Sequence, residues 1–326
     1  YKGSVLFLNL ELIIIFQMFL GGIAILLMDE IVSKWGFGSG VSLFIAAGVS
    51  KSLFIRAFSW LHPAHNPESY VGAIPELFRA LSSGGTEGMA TAGLMFAGIA
   101  STVVVFVMAV YSQSMKVEIP LSFGRIRGHG MRWPLSFIYT SNIPVILVAA
   151  LLANVQLWAK LLENWLGWSA QNLVEWVSVP GGGEGLLGLI IRQGSFIIGW
   201  KPYAQAFTYM IIMIVGCIIF SWFWVQTAGM DAKTQARNIL SSGLQIPGFR
   251  KDERVMERVL DRYIGPLTIM GAIAIGVLAA VADLSGSLVH GTSLLLTVMI
   301  VYKLYEEIAK QHMYDMHPMM RKFMEI

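Results

Sequence analysis

Seven times along this chain about twenty predominantly apolar residues follow one another, and that recurrence limits the fold more than any other feature. The windows run at about 8–28, 40–61, 91–113, 138–158, 204–228, 264–284 and 291–309. In hydrocarbon no water is present to pair with backbone N–H and C=O groups, so a spanning segment must satisfy them internally as a helix or a closed barrel. Barrel strands alternate polar and apolar residues over about ten positions, and these segments do not. The expected fold is all-α, a polytopic transmembrane helical bundle with seven spans. Composition agrees: 56% of residues are hydrophobic and 13% charged, with a mean hydropathy of +0.65, outside the balance of a soluble domain. The seventh span is the least secure, because its apolar run stops at Lys303, a side chain that snorkels from a helix end.

Basic residues set the orientation. The connectors after spans one, three, five and seven carry fifteen cations: Lys34; Lys116, Arg125, Arg127 and Arg132; Lys233, Arg237, Arg250, Lys251, Arg254, Arg258 and Arg262; Lys310, Arg321 and Lys322. The other side carries five: Lys2, Arg79, Lys160, Arg192 and Lys201. The positive-inside rule then places the C-terminus in the cytoplasm and the N-terminus outside. The chain begins at Tyr1 with no signal peptide ahead of its first span, and the expectation is a piece of a longer protein. Cys217 is alone and mid-span, which removes an internal disulfide or a cysteine metal cluster.

The cytoplasmic connectors hold the specific chemistry. Residues 116–137, KVEIPLSFGRIRGHGMRWPLSF, set four cations against Glu118. Gly124, Gly128 and Gly130 leave the backbone free to project Arg125 and Arg127, and Pro120 and Pro134 limit the two ends. An uncompensated guanidinium tip suits the phosphates of a polyanion; charge alone leaves anionic lipid equally open. In residues 229–263, Arg250, Arg254, Arg258 and Arg262 form a stripe at i, i+4. Glu253, Glu257 and Asp261 follow successive arginines by three and can pair with them, leaving Arg250 and Lys251, at the Pro247-Gly248 turn, the less compensated. After the first span Gly36, Gly38 and Gly40 permit a tight turn, and Ser39 can cap the next helix. Outside, His62 and His65 lack a third and fourth ligand nearby, so a turn-rich loop is expected there. The tryptophans of 159–203 suit a segment in the headgroup layer that caps the outer face.

Within the spans there is little that could react. Ion-coupled transporters place ionisable groups near the midplane, whereas Glu11, Asp29, Glu30, Asp283 and Lys303 fall near span ends, and Lys51 and Arg56 lie in the outer part of span two. No Ser/His/Asp or Cys/His set, HExxH or phosphate loop appears there, so neither an enzyme nor a cofactor is expected. Span four is expected to carry Asn142 as an intramembrane amide, with Pro144 interrupting its ladder; a helix-cap role for Asn142 stays open. Val41 and Ile45 share a face of span two beside small residues, which on spacing alone is ordinary packing.

The strings DEIVSKWGFGSGVSLFIAAGVS (29–50), KVEIPLSFGRIRG (116–128), YTSNIPVIL (139–147) and IPGFRK (246–251), in that order, resemble the SecY protein-conducting channel family in its archaeal and eukaryotic form. The resemblance extends over essentially the whole chain. It implies that the seven spans are the fourth to tenth helices of a ten-helix protein, with the plug and one side of the gate in sequence not present here. Residues 1–61 are then the last two helices of an N-terminal half, with an external loop 62–90, and 91–326 a C-terminal half of five helices with cytoplasmic loops 114–137 and 229–263. The family's aliphatic pore ring maps to Val41, Ile45, Ile146 and Leu296, Val41 standing for a bulkier residue. Its lateral gate maps to spans four and five, with Asn142 a polar gate position near Pro144. Its ribosome-docking loops map to Arg125, Arg127, Arg250 and Lys251, facing ribosomal RNA at the exit tunnel. The implied partners are SecE, a beta subunit, the ribosome and a secretory polypeptide that crosses unfolded or leaves sideways into lipid. The implied membrane is the archaeal plasma membrane, or the endoplasmic reticulum if the source is eukaryotic. The competing possibilities are a secondary transporter and a subunit whose basic loops only bind lipid.

Overall fold

The computed structural model describes residues 5–36, 40–63, 69–123, 130–140, 143–161, 168–181, 185–194, 199–242, 244–245 and 252–316. Its contacts divide the chain into one unit of Tyr1–Lys51 with Ile300–Ile326 and a second of Ser52–Met299.

In the first unit, α1 (Val5–Trp35) runs seven residues beyond the apolar window that predicts it. The extension ends in an exposed Lys34–Glu30 pair at 2.6 Å, an i, i+4 contact that contributes a few tenths of a kcal/mol. From Leu12 to Ile31 the large apolar side chains of α1 are exposed, a surface far too apolar for water and suited to lipid. The next helix, α2 (Gly40–Phe58), starts against this extension: Val41 N–H donates to Asp29 Oδ1 at 2.9 Å. Asp29 therefore supplies the capping acceptor expected of Ser39, which lies outside the described residues. Gly40 allows the approach, since a Cβ there would lie 2.8 Å from Asp29 Cα.

The second unit contains α3 (Ala73–Ser83), α4 (Gly85–Ser114), β1 (Lys116–Phe123), β2 (Gly130–Ser136), α5 (Ile143–Leu161), α6 (Trp168–Val177), α7 (Gly185–Gln193), α8 (Trp200–Thr227), α9 (Ala232–Ser241), β3 (Leu244–Gln245) and α10 (Glu253–Leu284). It also takes in the start of α11 (Gly291–Met316). Helices α8 and α10 pack along their lengths, with α5 on the other flank of α8. Their shared core includes Val148, Leu152, Met213, Cys217, Ala272, Ile275 and Ala279, joined by Leu294, Leu295, Val298 and Met299 from α11. Between membrane helices lipid is as apolar as leucine, so close approach rather than water expulsion drives association. Gly276 shows how close: a Cβ there would sit 3.1 Å from Ile214 Cα and 3.4 Å from Cys217 Sγ. At Gly216 it would sit 2.8 Å from Val148 Cγ2.

Within 116–137, expected as a glycine-opened connector, strands 116–123 and 130–136 pair antiparallel, Lys116 with Ser136 and Ser122 with Gly130. Pro120 and Pro134 lie within the strands rather than at their limits. Side chains alternate: Val117, Ile119, Trp133 and Leu135 face inward while Glu118 and Pro134 are exposed. The inward face packs on Ala236 and Ile239 of α9 and Met256, Leu260 and Ile264 of α10, making a second core. Strand β3 adds to β1, giving the order β2-β1-β3.

Six helices, not seven, are long and apolar enough to cross a membrane among the described residues: α1, α2, α4, α5, α8 and α10, the α8 stretch extending to Ser241. The seventh expected span exists as α11, but Lys303, Glu306 and Glu307 crowd its second half. Span four also differs. Helix α5 begins at Ile143, so Pro144 occupies its first turn, where an N–H would lack an intrahelical partner anyway, and the expected interruption of the ladder does not arise. Outside the spans, buried Glu76 of α3 accepts from Tyr70 N–H at 2.7 Å and Arg79 Nε at 2.9 Å. Burial pushes this carboxyl up, yet the hydrogen bonds from Arg79 and Tyr70 and the charge of Arg79 together hold it below its ordinary value.

Gly276→Val should separate α8 from α10 and cost about 1–3 kcal/mol, the usual penalty of overpacking. A lowered thermal unfolding midpoint in detergent checks this, and an unchanged midpoint contradicts the contact.

Candidate functional site

The expected pore positions fall in both units. Val41, half-buried, and Ile45, 40% exposed, lie one turn apart on α2, their start held by the Asp29 cap. In the second unit, Ile146 is 42% exposed on the flank of α5 that also shows Leu147 and Leu151, opposite the core positions Val145, Val148 and Leu152. Leu296 is buried on α11. All four are aliphatic and bring no hydrogen-bonding group.

Of the two expected gate positions, Pro144 is buried, and Asn142 lies outside the described residues. A few residues before Pro144 the structure shows a polar seam that the sequence left unmarked. Ser221 Oγ of α8 lies 3.0 Å from Thr140 Oγ1, just before α5, and donates towards the Thr268 carbonyl of α10 at 3.4 Å. All three residues are buried, so the seam joins helices where water cannot compete. Next to it Tyr139 O–H donates to the Met230 carbonyl at 2.7 Å, tying the entry of α5 to the exit of α8. Burial, helped by the charge of Asp231, pushes this phenol up to about 12, so it remains a donor at neutral pH. The string YTSNIPVIL flagged this segment; only the folded contacts show that its Tyr and Thr are engaged.

The basic candidates Arg125, Arg127, Arg250 and Lys251 lie outside the described residues. Their flanking strands are described, and they meet: Ser122 pairs with Gln245 and Phe123 with Leu244. Two basic segments some 120 positions apart in sequence thus depart from one sheet. In the adjoining helices, Glu253 receives Arg237 Nε of α9 at 2.6 Å, a partner the i, i+3 spacing did not suggest. The Glu253 carboxylate, hydrogen-bonded and then through its charge, raises the Arg237 guanidinium above its ordinary value.

At the other end of the helices, His62 Nδ1 contacts the Ser69 carbonyl at 2.9 Å, while His65 lies outside the described residues, among which no group of metal-ligating side chains assembles. The segment 159–203 contributes the short helices α6 and α7, and Lys201 bonds Glu175 at 2.9 Å. Asp283 near the end of α10 accepts from Tyr209 O–H at 2.8 Å and from Gly291 N–H at 2.6 Å, which fixes the start of α11.

These features define a multi-pass α-helical membrane protein with a small sheet at one end and a pair of basic segments leaving it. The SecY family model matches residues 3–305. The protein translocase subunit SecY of Pyrococcus horikoshii is 40% identical over 323 residues, covering 95% of this chain and 68% of the relative. That of Methanothermobacter thermautotrophicus is 42% identical over 317 residues, covering 96% and 68%. A solved structure described as that of a protein conducting channel superposes with a TM-score of 0.71 at 40% identity, covering 92% of this chain and 65% of the other. A ribosome-bound yeast Ssh1 complex, at 18% identity and a TM-score of 0.54, shares the fold alone. The chain belongs to the SecY family, and it spans about two thirds of the length of these relatives.

Tyr139→Phe should cost about 1 kcal/mol through loss of the bond to Met230. Because the folded phenol lies above its ordinary 10.0, its contribution is complete below about pH 10 and lost as pH rises towards 12. Unfolding midpoints of wild type and variant should therefore differ by a constant amount from pH 6 to 9 and converge in alkali.

Proposed function

We propose that this chain is the central subunit of a protein-translocation channel, passing unfolded secretory polypeptides across the membrane and releasing apolar segments sideways into lipid. The observation that carries it is the family match over residues 3–305 with relatives named as protein translocase subunits. A ring of Val41, Ile45, Ile146 and Leu296 suits the task physically. Side chains without charge or hydrogen bonds favour no particular sequence, yet they exclude ions by dewetting. The channel is passive, driven by whatever feeds the polypeptide into it.

The lateral gate is formed by α5 and α8 against helices of the rest of the channel, with Asn142 and Pro144 at the entry to α5. Hydrogen bonding at Asn142 favours the closed state by about 1–2 kcal/mol, an amount that burial of an apolar signal segment offsets. Arg125, Arg127, Arg250 and Lys251 dock on ribosomal RNA phosphates, and their departure from one three-stranded sheet supports a shared surface. SecE and a beta subunit complete the complex, and the basic loops and C-terminus face the cytosol of an archaeal plasma membrane or, in a eukaryote, of the endoplasmic reticulum.

Replacing Arg125 and Arg127 by Glu in the complete complex should weaken ribosome binding about tenfold or more at low salt and flatten its salt dependence. Equal co-sedimentation of variant and wild type refutes docking through this tip. Asn142→Leu should change the signal hydrophobicity needed for membrane insertion, and an unmoved threshold rules out the gate assignment.

A further inference from the structure

One cavity of about 410 Å³ belongs to none of the surfaces above. It lies where α2, α5 and α10 end and α11 begins, lined by Arg56, Gln156, Lys160, Asp283 and His290 among others. Ends of membrane-length helices sit at the level of the lipid headgroups, so this space opens at the boundary between hydrocarbon and water.

Its lining favours an anion. Asp283 is the carboxylate among the lining residues, and each of its oxygens is engaged, one by Tyr209 and one by Gly291. Arg56 is held in place: its Nη1 donates to the Leu288 carbonyl at 3.0 Å, and Leu288 N–H in turn donates to buried Thr102 at 3.0 Å. That contact occupies one of five N–H donors, and the fixed guanidinium plane suits two oxygens of a phosphate. Lys160 adds a second full charge, and Gln156 an amide donor. Cations at helix C-termini also complement the helix dipoles, which accounts for their presence but not for a cavity shared between three helices. A lone phosphate would leave most of such a volume empty, whereas cavities of about 300–1,000 Å³ take whole small molecules.

We propose that this cavity binds the phosphate-bearing headgroup of an anionic phospholipid, gripped by Arg56 and Lys160. The test uses the intact channel with its partner subunits in phosphatidylcholine nanodiscs carrying a trace of spin-labelled phosphatidylglycerol or spin-labelled phosphatidylcholine. The motionally restricted fraction of each probe is read by electron paramagnetic resonance. Wild type should prefer phosphatidylglycerol, and Lys160→Gln should lower that preference about fivefold, as expected for one basic residue at a membrane surface. Arg56→Gln should lower it at least as far; because Arg56 also holds Leu288, the exposed Lys160 provides the variant that leaves the fold intact. Equal preference in wild type and Lys160→Gln overturns the site. A parallel calorimetric titration of the detergent-solubilised complex with inorganic phosphate separates the sources: saturable binding that Lys160→Gln abolishes, without lipid selectivity, overturns the headgroup in favour of free phosphate.

Discussion

A peptide group left unpaired in hydrocarbon costs several kcal/mol, and that penalty organises this molecule. Among the described residues every membrane-length segment is a helix, and the three-stranded sheet lies in connectors between helices, where its outer face and edges can meet water. Hydroxyl groups inside the spans follow the same rule. Thr102, Ser112, Thr208, Thr268 and Thr297 each donate to the carbonyl four residues earlier, at 2.7–2.9 Å, so a polar side chain is accommodated without a partner helix. Thr102 does more, since its oxygen also accepts from Leu288 and joins α4 to the turn between α10 and α11.

With the backbone satisfied within each helix, association between helices falls to close packing and a few polar contacts. Gly276 lets α10 approach the backbone of α8, Gly216 makes room for the Val148 side chain of α5, and the Thr140–Ser221–Thr268 seam joins the same three segments. Such a joint is specific without being strong, because hydrogen bonds between membrane helices contribute only about 0.6–2 kcal/mol each.

Charge is kept to the ends. One end carries the small sheet, the other the polar cavity around Arg56 and Lys160. The candidate pore residues Val41, Ile45, Ile146 and Leu296 are plain aliphatics without charge or hydrogen-bonding side chains.

Length and apolar character alone made the spans legible, because helix rise and bilayer thickness together demand about twenty such residues. The weak seventh span was legible as weak for the same reason, and Lys303 with its acidic neighbours is where it departs. The pairing of strands 116–123 and 130–136 was not, because their alternation is short and the glycines and prolines of this stretch read equally well as an open loop. Nor was the start of α5 at Ile143 settled, since Thr140, Ser141 and Asn142 read equally well as polar residues inside a span or as residues that cap a helix. Motif strings in the sequence pointed to a family and to candidate residues. Only the tertiary structure decided that Asp29 caps α2, that Ser221 reaches Thr140 and Thr268, and that β1 and β3 join two distant basic segments. Those contacts link residues 12 to more than 100 positions apart, a separation no local pattern encodes. Spans are set by what a segment does with its own backbone, which the sequence states directly, whereas sites are set by which segments meet, which is settled when the helices pack.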